Sequence, residues 1–483
     1  MPEVHFFSDV TEETGKLNHS WKHTVGSCHA LLALRADWQA QMELCHRELG
    51  FEYVRFHGLL CDDVGTLVIH NNQPLYSFFN ADCIIDYLLS IGMKPFIELS
   101  FMPGGLASGK TTVFHYRGNV TPPRNYKDWV RFISKLIDHW AKQYGIKEVR
   151  KWFFEVWNEP NLKAFWTGTM KEYFKFYAHT AAAIKDIDHG FRVGGPATAN
   201  NGWIEEFLEF CEEQQIPADF ISTHHYPTDA FGQPGDDTVK QLAASRRSVL
   251  REQVQDACRK SGSKELYYTE WNSSSNPRDQ MHDEPYSAAF IAKTVLEVDS
   301  FVHGYSYWTF SDIFEENYFP SIPFHGGFGL LTLHGIRKPS YRAFELLNRL
   351  GKILLHVDGI HETVDCRIIK SSNLIHILLT NHAYPTRPIE KETITIHLRN
   401  CRRPEAIYCE MIDEDHANSR RKWIEMGSPE YLSSMQLQKL QDASEIVPRK
   451  LRWTTQSNQV QISVPLLPHT VALITINLKS VHD

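Results

Sequence analysis

Two short segments of the sequence place a glutamate directly after a run of residues that favour β-strands. Residues 155–160 are EVWNEP and contain Glu159, and residues 267–272 are YYTEWN and contain Glu270. Two carboxyl groups at the ends of different strands suit the cleavage of a glycosidic bond, because one must be protonated to release the leaving oxygen while the other must be ionised. We therefore take Glu159 and Glu270 as the candidate catalytic pair.

The elements that must position this pair alternate along the chain from about residue 24 to residue 350. Runs rich in β-branched and aromatic residues predict eight strands, which end near residues 26–27, 55–57, 97–99, 155–157, 193–195, 221–223, 268–270 and 306–308. Apolar residues three and four positions apart predict helices between these strands. Eight such units favour a (β/α)8 barrel of the α/β class. A doubly wound open sheet is the alternative, and it is disfavoured because no glycine-rich phosphate turn follows the first strand.

A barrel would bring the polar residues at the strand ends to one shared mouth, where barrel enzymes carry out their chemistry. An open sheet would spread the same residues along an edge. These residues are His57, Glu98, Asn158, Glu159, His224, Tyr226 and Glu270.

The pattern changes after residue 350, where alternation of apolar and polar residues replaces the helical periodicity. It predicts a β-sandwich-like accessory domain over residues 351–483, interrupted by a short helical insertion near residues 428–447. An apolar run near the start of the chain places residues 1–15 as a strand that joins this accessory domain. Residues 16–350 are then left for the catalytic barrel.

Charge and composition exclude several classes of partner. The chain has 483 residues, a net charge of −8 and a pI of about 6.3, which argues against nucleic acid as a partner. No apolar run approaches the ~18 residues of a membrane span, and residues 1–5 lack the pattern of a signal peptide. The nine cysteines are odd in number and form no CxxC pair. We therefore expect no membrane partner and a cytoplasmic location.

The consecutive residues His224 and His225 are potential metal ligands, but the surrounding sequence argues against a metal site. No HExxH motif or cysteine pair near them supplies the remaining ligands. Neighbouring residues on a strand point to opposite faces, so at most one of the two histidines enters the site. A hydrogen bond from His224 or Tyr226 to the nucleophile or to a sugar hydroxyl is the favoured role. We predict no metal and no cofactor.

Several longer motifs closely resemble those of glycoside hydrolase family 39. In chain order they are FHGLLCDDVG at 56–65, FMP at 101–103, GNVTPP at 118–123, EVWNEPNL at 155–162, VGGP at 193–196, YWTFSD at 307–312 and FHGGFGL at 324–330. The resemblance covers the whole barrel and continues more loosely into the accessory domain. It implies a retaining (β/α)8 enzyme whose two glutamates end strands four and seven. Within the family, the chain looks most like the bacterial β-xylosidases rather than the α-L-iduronidases.

The resemblance also implies a role for particular positions. Glu159 matches the acid/base, Glu270 matches the nucleophile, and Asn158 is similar to the asparagine that bonds the sugar 2-hydroxyl. Phe165 resembles an aromatic residue on the leaving-group side. Of two adjacent glutamates, Glu316 is expected to point inward rather than Glu315. The positions that match residues around the cleaved sugar are His57, His224, Tyr226, Trp308, Glu315 and Glu316.

The function implied is a retaining, exo-acting β-D-xylosidase that releases xylose from the non-reducing ends of xylo-oligosaccharides. Exo action needs one closed end of the site. The aromatic residues expected to close it are Phe114, Tyr116, Phe319 and Phe324. An oligosaccharide is thus the expected partner, and assembly into a homo-oligomer is a further possibility.

Other sugars stay open at this point, because residues 222–228 and Trp271 depart from the xylosidase pattern. The alternatives are arabinopyranosides, galactosides, glucosides and iduronates on the same fold, or a non-catalytic sugar-binding barrel. Iduronate would need a cationic cradle for its carboxylate. Arg55 and Arg117 are candidates for it, although an arginine on a strand more often anchors a barrel core.

Overall fold

The computed structural model describes residues 3–228, 237–316 and 320–478. Its central element is a closed barrel of eight parallel strands, which follow one another around the barrel in chain order. They are β1 Thr24–His29, β2 Tyr53–His57, β3 Lys94–Glu98, β4 Phe153–Glu155, β5 Arg192–Ala199, β6 Phe220–His225, β7 Glu265–Trp271 and β8 Gly304–Tyr307. The predicted (β/α)8 barrel is confirmed, and the open sheet is excluded because β8 pairs with β1.

One main helix follows each strand. These helices are α1 Ala36–Leu49, α2 Phe79–Ser90, α3 Tyr126–Tyr144, α4 Met170–Lys185, α5 Ile204–Glu213, α6 Val249–Ser261, α7 Pro285–Val298 and α8 Pro339–Asn348. Shorter helical turns lie in the connections, at Ser20–Lys22, Ala30–Leu34, Ile146–Val149, Thr238–Ala244 and Gln280–Asp283. Two small hairpins pair Leu67–His70 with Gln73–Tyr76 and Thr112–Val113 with Gly118–Asn119.

The helices form where apolar residues recur every three or four positions and where a cap fixes the first turn. On α3, Trp129, Leu136 and Trp140 lie on the buried face. The side chain of Asn125 caps this helix by accepting a hydrogen bond from the backbone N–H of Lys127 at 2.9 Å. The buried faces of the helices share one large apolar core with the outside of the barrel.

The inside of the barrel has an aromatic layer below a layer of carboxylates. The aromatic cluster near the amino-terminal ends of the strands consists of Phe96, Phe153, Phe220 and Tyr267. Side chains alternate along a strand, so the residues two positions further on point into the barrel as well. On β3 and β4 these are Glu98 and Glu155, which stand opposite each other in the sheet register. Aromatic rings therefore close the floor, and charged groups lie above them toward the mouth.

Two further sheets lie outside the barrel and share their own apolar core. The four-stranded sheet has the order Val4–Asp9, Glu392–Arg399, Gln459–Leu466 and Trp453–Gln456. The seven-stranded sheet has the order Glu13–Lys16, Ile353–Leu355, Val364–Lys370, Leu374–Asn381, Thr470–Leu478, Pro404–Ile412 and Arg449–Lys450. Helices Ser419–Glu425 and Ser434–Ala443 interrupt the strands.

The amino-terminal residues pair with these sheets. Val4–Asp9 runs parallel to Glu392–Arg399, and Glu13–Lys16 runs antiparallel to Ile353–Leu355. Across the described parts of the chain, no helix combines the length and the apolar character that crossing a membrane requires.

Candidate active site

A cavity of about 520 Å³ opens at the carboxyl-terminal ends of the barrel strands. It is lined by His57, Val113, Phe114, Asn158, Glu159, Leu162, Lys163, Ala164, Phe165, Ala199, Asn200, Tyr226, Thr228, Glu270, Ser275, Pro277, Trp308, Glu316 and Phe328. Eight of the ten residues predicted for the site are in this lining. The two outside it are His224 and Glu315, which lie behind the cavity wall.

Glu159 lies in the loop that follows β4, where the backbone turns sharply. The φ angles are 78° at Trp157 and 42° at Glu159, in the left-handed region that residues other than glycine adopt at a cost. The turn is held by the backbone N–H of Glu159, which donates to the carbonyl of Ala197 at 2.8 Å. The indole N–H of Trp157 donates to the carbonyl of Phe165, also at 2.8 Å. These bonds fix the Glu159 carboxyl at the mouth, 7% exposed.

Glu270 lies on β7, where the pairing with the neighbouring strands is irregular. The register shifts between Thr223 and His224 of β6, and again along β7 toward β8. Irregularities of this kind re-aim side chains. Oε1 of Glu270 accepts a hydrogen bond from Nη1 of Arg55 at 2.7 Å, and Oε2 accepts one from the hydroxyl of Tyr226 at 3.1 Å. Both oxygens therefore have donors, as an ionised carboxylate requires.

The two glutamates stand close together. One carboxylate oxygen of Glu159, one of Glu270 and a ring nitrogen of His224 all lie within 4.8 Å of one another. Retaining glycosidases hold their two carboxyl groups about 5–5.5 Å apart, whereas inverting enzymes need roughly 6.5–9.5 Å to admit a water molecule. The separation in this site suits direct attack by one of the carboxylates.

Arg55 is the centre of a buried charge network beneath the cavity. Its Nε donates to Glu155 at 2.6 Å, and its Nη2 donates to Oδ1 of Asn158 at 2.9 Å and lies 2.7 Å from Glu98. Together with the bond to Glu270, these contacts give each nitrogen of the fully buried guanidinium an acceptor. Burial alone would lower the pKa of Arg55, but the charges of Glu155, Glu98 and Glu270 raise it above its usual value. The network therefore keeps a permanent positive charge beside Glu270.

Glu159 and His224 form a neutral pair. Nδ1 of His224 lies 2.9 Å from Oε1 of Glu159. Burial raises the pKa of Glu159 well above its usual value, and the charge of Glu270 raises it further. Burial lowers the pKa of His224 well below its usual value, and the positive charge of Arg55 adds to that effect. The site thus favours the protonated form of Glu159 and the uncharged form of the His224 imidazole.

One wall of the cavity is built around His57. Its Nε2 lies 3.5 Å from Oε1 of Glu270 and 3.6 Å from Oε1 of Glu316. The ring centroids of Trp308 and Phe114 lie 4.7 and 6.0 Å from that of His57. Burial, together with the charge of Glu270, raises the pKa of Glu316 well above its usual value. This wall offers polar atoms and aromatic faces side by side, as a sugar ring requires.

Glu315 points away from the cavity. Its Oε1 lies 2.5 Å from Nδ1 of His29, a fully buried ring on β1. Burial lowers the pKa of His29, but hydrogen bonds to Asp63, Cys61 and Glu315 outweigh it and raise the pKa to about 11. Glu315 therefore forms an ion pair with an imidazolium behind the wall, while Glu316 contributes to the lining.

Comparison with known proteins assigns the chain to a family. The model of the glycosyl hydrolases family 39 matches residues 8–461. The chain belongs to glycoside hydrolase family 39. This family 39 enzyme is 49% identical over 468 residues to a β-xylosidase of Caldicellulosiruptor saccharolyticus, with 96% of each chain covered. It is 37% identical over 491 residues to a β-xylosidase of Geobacillus stearothermophilus, with 95% of this chain and 93% of the relative covered.

A solved structure agrees with this family. The family 39 β-xylosidase from Caulobacter crescentus superposes with a TM-score of 0.82 and 34% identity, covering 98% of this chain and 99% of that one. The family and the enzyme class predicted from the sequence are confirmed, so the chain is a glycoside hydrolase.

The sequence did not single out the charge network of this family 39 enzyme. From the sequence, Arg55 is a candidate only for a uronate cradle or a core anchor, Glu98 is only a polar strand end, and Glu155 has no assigned role. The sequence does contain a feature that could have indicated these three residues, since each is a charged residue in an otherwise apolar strand. A buried charge is costly unless it is paired, so charges of opposite sign in neighbouring strands predict a pair. The lining residues Asn200 and Phe328 lie on loops and carry no such signal.

The aromatic residues expected to close the cavity of the family 39 enzyme lie in different places. Phe114 is in the lining. Tyr116 stacks on His29 behind the wall, with ring centroids 3.9 Å apart. Phe324 packs against Trp423 of the helical insertion at 5.5 Å. Phe319 lies outside the described residues.

Two groups of side chains in the described ranges bring three potential metal ligands together. They are Glu159, His224 and Glu270, and His29, Cys61 and Asp63. In the first group, the raised pKa of Glu159 favours its protonated form, and Glu270 is already paired with Arg55. In the second, the raised pKa of His29 means that both ring nitrogens carry hydrogens at neutral pH and have no lone pair for a metal. Neither donor set suits a resident metal ion at neutral pH.

Proposed function

We propose that this family 39 enzyme is a retaining, exo-acting β-D-xylosidase acting on xylo-oligosaccharides of the kind that xylan degradation releases. The observation that carries the proposal is the approach of Glu159 and Glu270 to within 4.8 Å in opposite environments. Glu270 accepts hydrogen bonds from Arg55 and Tyr226, whereas burial and the charge of Glu270 raise the pKa of Glu159. This division suits a nucleophile and an acid/base.

The reaction proceeds in two displacements. In the first, the Glu270 carboxylate attacks the anomeric carbon while the bond to the glycosidic oxygen breaks, and Glu159 gives its proton to that oxygen. The sugar is then an ester of Glu270, and Glu159 is ionised. In the second, Glu159 takes a proton from water, whose oxygen displaces Glu270 from the anomeric carbon. Two inversions retain the configuration and restore both glutamates.

Neighbouring side chains orient the sugar for these steps. Oδ1 of Asn158 accepts from Arg55 at 2.9 Å, which fixes the amide and directs its NH2 group to a sugar hydroxyl. His57 and Glu316 supply polar atoms for the other hydroxyls, and Trp308 supplies an apolar face. Phe165 extends the surface toward the leaving group.

The charge of the cavity favours a neutral sugar. Its lining contains the carboxyl groups of Glu159, Glu270 and Glu316. Among the described residues that line it, Lys163 is the only lysine or arginine, and its ammonium donates to the backbone carbonyl of Gly168 at 3.0 Å. Each nitrogen of the Arg55 guanidinium already has an acceptor beneath the cavity. A uronate carboxylate would therefore lie among three carboxyl groups rather than in a cationic cradle. Two relatives named as β-xylosidases, 49% and 37% identical, support xylose as the sugar.

The first experiment measures initial rates on p-nitrophenyl β-xyloside, α-arabinopyranoside, β-galactoside and β-glucoside. We expect the β-xyloside to dominate and Glu270→Ala to abolish its hydrolysis, with Glu43→Ala as the control because Glu43 is exposed on α1. Glu159→Ala should retain the first step on activated aryl xylosides and lose xylobiose hydrolysis. A dominant rate on another sugar would replace the substrate. Binding of xylobiose without turnover of any glycoside would favour the sugar-binding alternative.

Product analysis tests the remaining parts of the proposal. Proton NMR of the first product should show β-xylose before mutarotation, because the configuration is retained. Xylotetraose should yield xylose and xylotriose at early times. Initial α-xylose would contradict retention, and early xylobiose would contradict exo action.

We also propose the domain division 1–15, 16–350 and 351–483, supported by the pairing of Val4–Asp9 with Glu392–Arg399. A cytoplasmic location is supported by nine free thiols, seven of them buried. Assembly into a homo-oligomer stays a prediction, which sedimentation velocity would test.

A further inference from the structure

A continuous row of hydrogen bonds runs behind the proposed acid/base. Oε1 of Glu159 lies 2.9 Å from Nδ1 of His224, and Nε2 of His224 lies 3.0 Å from Oγ1 of Thr269. The Thr269 hydroxyl donates to Oε1 of Glu155 at 2.8 Å, and Nε of Arg55 donates to Oε2 of Glu155 at 2.6 Å. All five side chains are at least nine-tenths buried. Since Arg55 also binds Glu270, the row links the two catalytic glutamates.

While Glu155 is ionised and paired with Arg55, the chemistry of the donors fixes the direction of every bond in this row. A hydroxyl has one hydrogen, so Thr269 cannot donate to His224 while it donates to Glu155. It must accept from Nε2–H of His224. A neutral imidazole has only one N–H, so Nδ1 of His224 is then a bare acceptor. The partner of Nδ1 is Oε1 of Glu159, which can donate only as the protonated acid.

We propose that His224, Thr269 and Glu155 form a positioning relay that keeps His224 in the Nε2–H tautomer and presents a bare nitrogen to the acid/base Glu159. A hydrogen bond made to the neutral form of a carboxylic acid favours that form over the ionised one. The relay therefore keeps Glu159 protonated in the free enzyme. It matters for catalysis only if Glu159 is the acid/base, so the inference rests on the proposed function.

The charges around His224 keep the imidazole neutral. Arg55 and His57 lie on β2, across the barrel from β6. His225 is the next residue on β6, and Oε1 of Glu270 lies 3.7 Å from Nδ1. Burial and Arg55 lower the pKa of His224 well below its usual value. His225 is neutral as well, because burial lowers its pKa to about 3. The tautomer is thus decided by Thr269 rather than by titration of the ring.

The relay has a consequence for both steps of the reaction. When the glycosidic oxygen takes the proton of Glu159, the O–H bond of Glu159 breaks and its Oε1 faces the lone pair of Nδ1. Two facing acceptors repel each other, so the ionised Glu159 of the glycosyl-enzyme is a stronger base toward water. The relay therefore opposes the loss of the proton in the first step and promotes its recovery in the second.

The first test reads the tautomer directly and does not depend on activity. In protein labelled with ¹⁵N-histidine, the His224 resonances are assigned by their loss in His224→Gln. We expect a hydrogen on Nε2 and none on Nδ1 from pH 5 to pH 8. If Glu155 carried a proton, the donors would run in the opposite direction and Nδ1 would bear the hydrogen, which would overturn the inference. An imidazolium at these pH values would overturn it too.

The second test breaks the relay at Thr269. Thr269→Val keeps the shape but removes the hydroxyl, so His224 can turn to its Nδ1–H tautomer and donate to the ionised Glu159. We expect the upper pKa in the pH profile of kcat/KM to fall by about one unit. Thr269→Ser keeps the hydroxyl and should restore the wild-type profile. An unchanged upper limb in Thr269→Val, or an equal fall in Thr269→Ser, would contradict the relay.

The proposed function is judged separately by Glu159→Ala. If this variant hydrolyses activated aryl xylosides while losing xylobiose, Glu159 is the acid/base whatever Thr269→Val does. If Glu159→Ala gives that result and the pH profile of kcat/KM in Thr269→Val is unchanged, the relay is rejected but the role of Glu159 stands. Equal losses on both substrates in Glu159→Ala would reject the role of Glu159.

Discussion

Arg55 and Glu270 form a buried ion pair, with Nη1 of the guanidinium 2.7 Å from Oε1 of the carboxylate. The same guanidinium lies 2.6 Å from Glu155, the end of the proposed relay. One cation thus holds the proposed nucleophile in place and, through Glu155 and Thr269, orients the partner of the acid/base. The two carboxyl groups of the proposed reaction are therefore linked through one set of contacts, although Glu159 lies in the loop after β4 and Glu270 lies on β7.

Replacing this cation with lysine tests that linkage. Arg55→Lys keeps the charge but offers one ammonium in place of a planar fork, so it cannot bind Glu155, Glu270 and Asn158 together. We expect kcat/KM on p-nitrophenyl β-xyloside to fall on the order of 100-fold, and the free energy of unfolding to fall by about 3 kcal/mol. Arg131→Lys is the matched control, because Arg131 is on the surface of α3. Near-wild-type kinetics in Arg55→Lys would show that the fork is dispensable.

The sequence predicts the barrel and its catalytic pair because these depend on local pattern. Alternating apolar strands and amphipathic helices specify the eight units. Glu159 follows one such strand, and Glu270 lies near the end of another. Each of these inferences uses only the spacing of residues along the chain.

The rest of the site depends on contacts between distant parts of the chain. The partner of Glu315 is His29, 286 residues away in the sequence, and no local pattern connects them. The roles of Thr269 and Glu155 likewise appear only when the closed barrel brings β4, β6 and β7 around one interior. The strand β5 extends to Ala199, beyond its predicted end near residue 195, because its last residues pair with β6 across a register shift.

Gly26 makes room for the aromatic wall of the cavity. A Cβ atom at this position would lie 2.5 Å from Cε3 of Trp308 and 3.1 Å from the carbonyl of Tyr307. Gly26→Ala should therefore displace the Trp308 ring, raise KM for the xyloside and lower the free energy of unfolding by about 1–3 kcal/mol. Gly15→Ala is the control, since a Cβ there meets nothing within 4 Å. The expectation fails if both variants bind substrate and unfold like the wild type.

His29 contributes a stability that depends on pH. Its pKa is raised from 6.5 to about 11 by its hydrogen bonds to Asp63, Cys61 and Glu315, against the effect of burial. The folded state therefore binds the proton more tightly than the unfolded chain. The resulting stabilisation is complete below pH 6.5, decreases as the pH rises above 6.5, and is lost as the pH passes about 11.

His29→Gln should remove this contribution. We expect its free energy of unfolding in urea to lie about 3 kcal/mol below that of the wild type at pH 6, with the difference shrinking toward pH 9. His70→Gln, in an exposed hairpin, should match the wild type throughout. A difference that stays constant from pH 6 to pH 9 would show that the ion pair with Glu315 is not its origin.

Glu316 makes the stability of the fold depend on pH in the same direction as His29, but for a different reason. Burial and the charges of Glu270 and Glu159 raise its pKa well above the usual 4.5, so the folded state again binds the proton more tightly. Its stabilisation is complete below pH 4.5 and is lost as the pH rises through the raised pKa. The side chain in Glu316→Gln is neutral at every pH. The free energy of unfolding of this variant should therefore rise relative to that of the wild type by about 1.4 kcal/mol per pH unit within this window. Urea unfolding at pH 5, 6 and 7 measures this slope, with the exposed Glu43→Gln as the control. If the free energies of unfolding of Glu316→Gln and the wild type changed in parallel with pH, Glu316 would be ionised in the folded cavity.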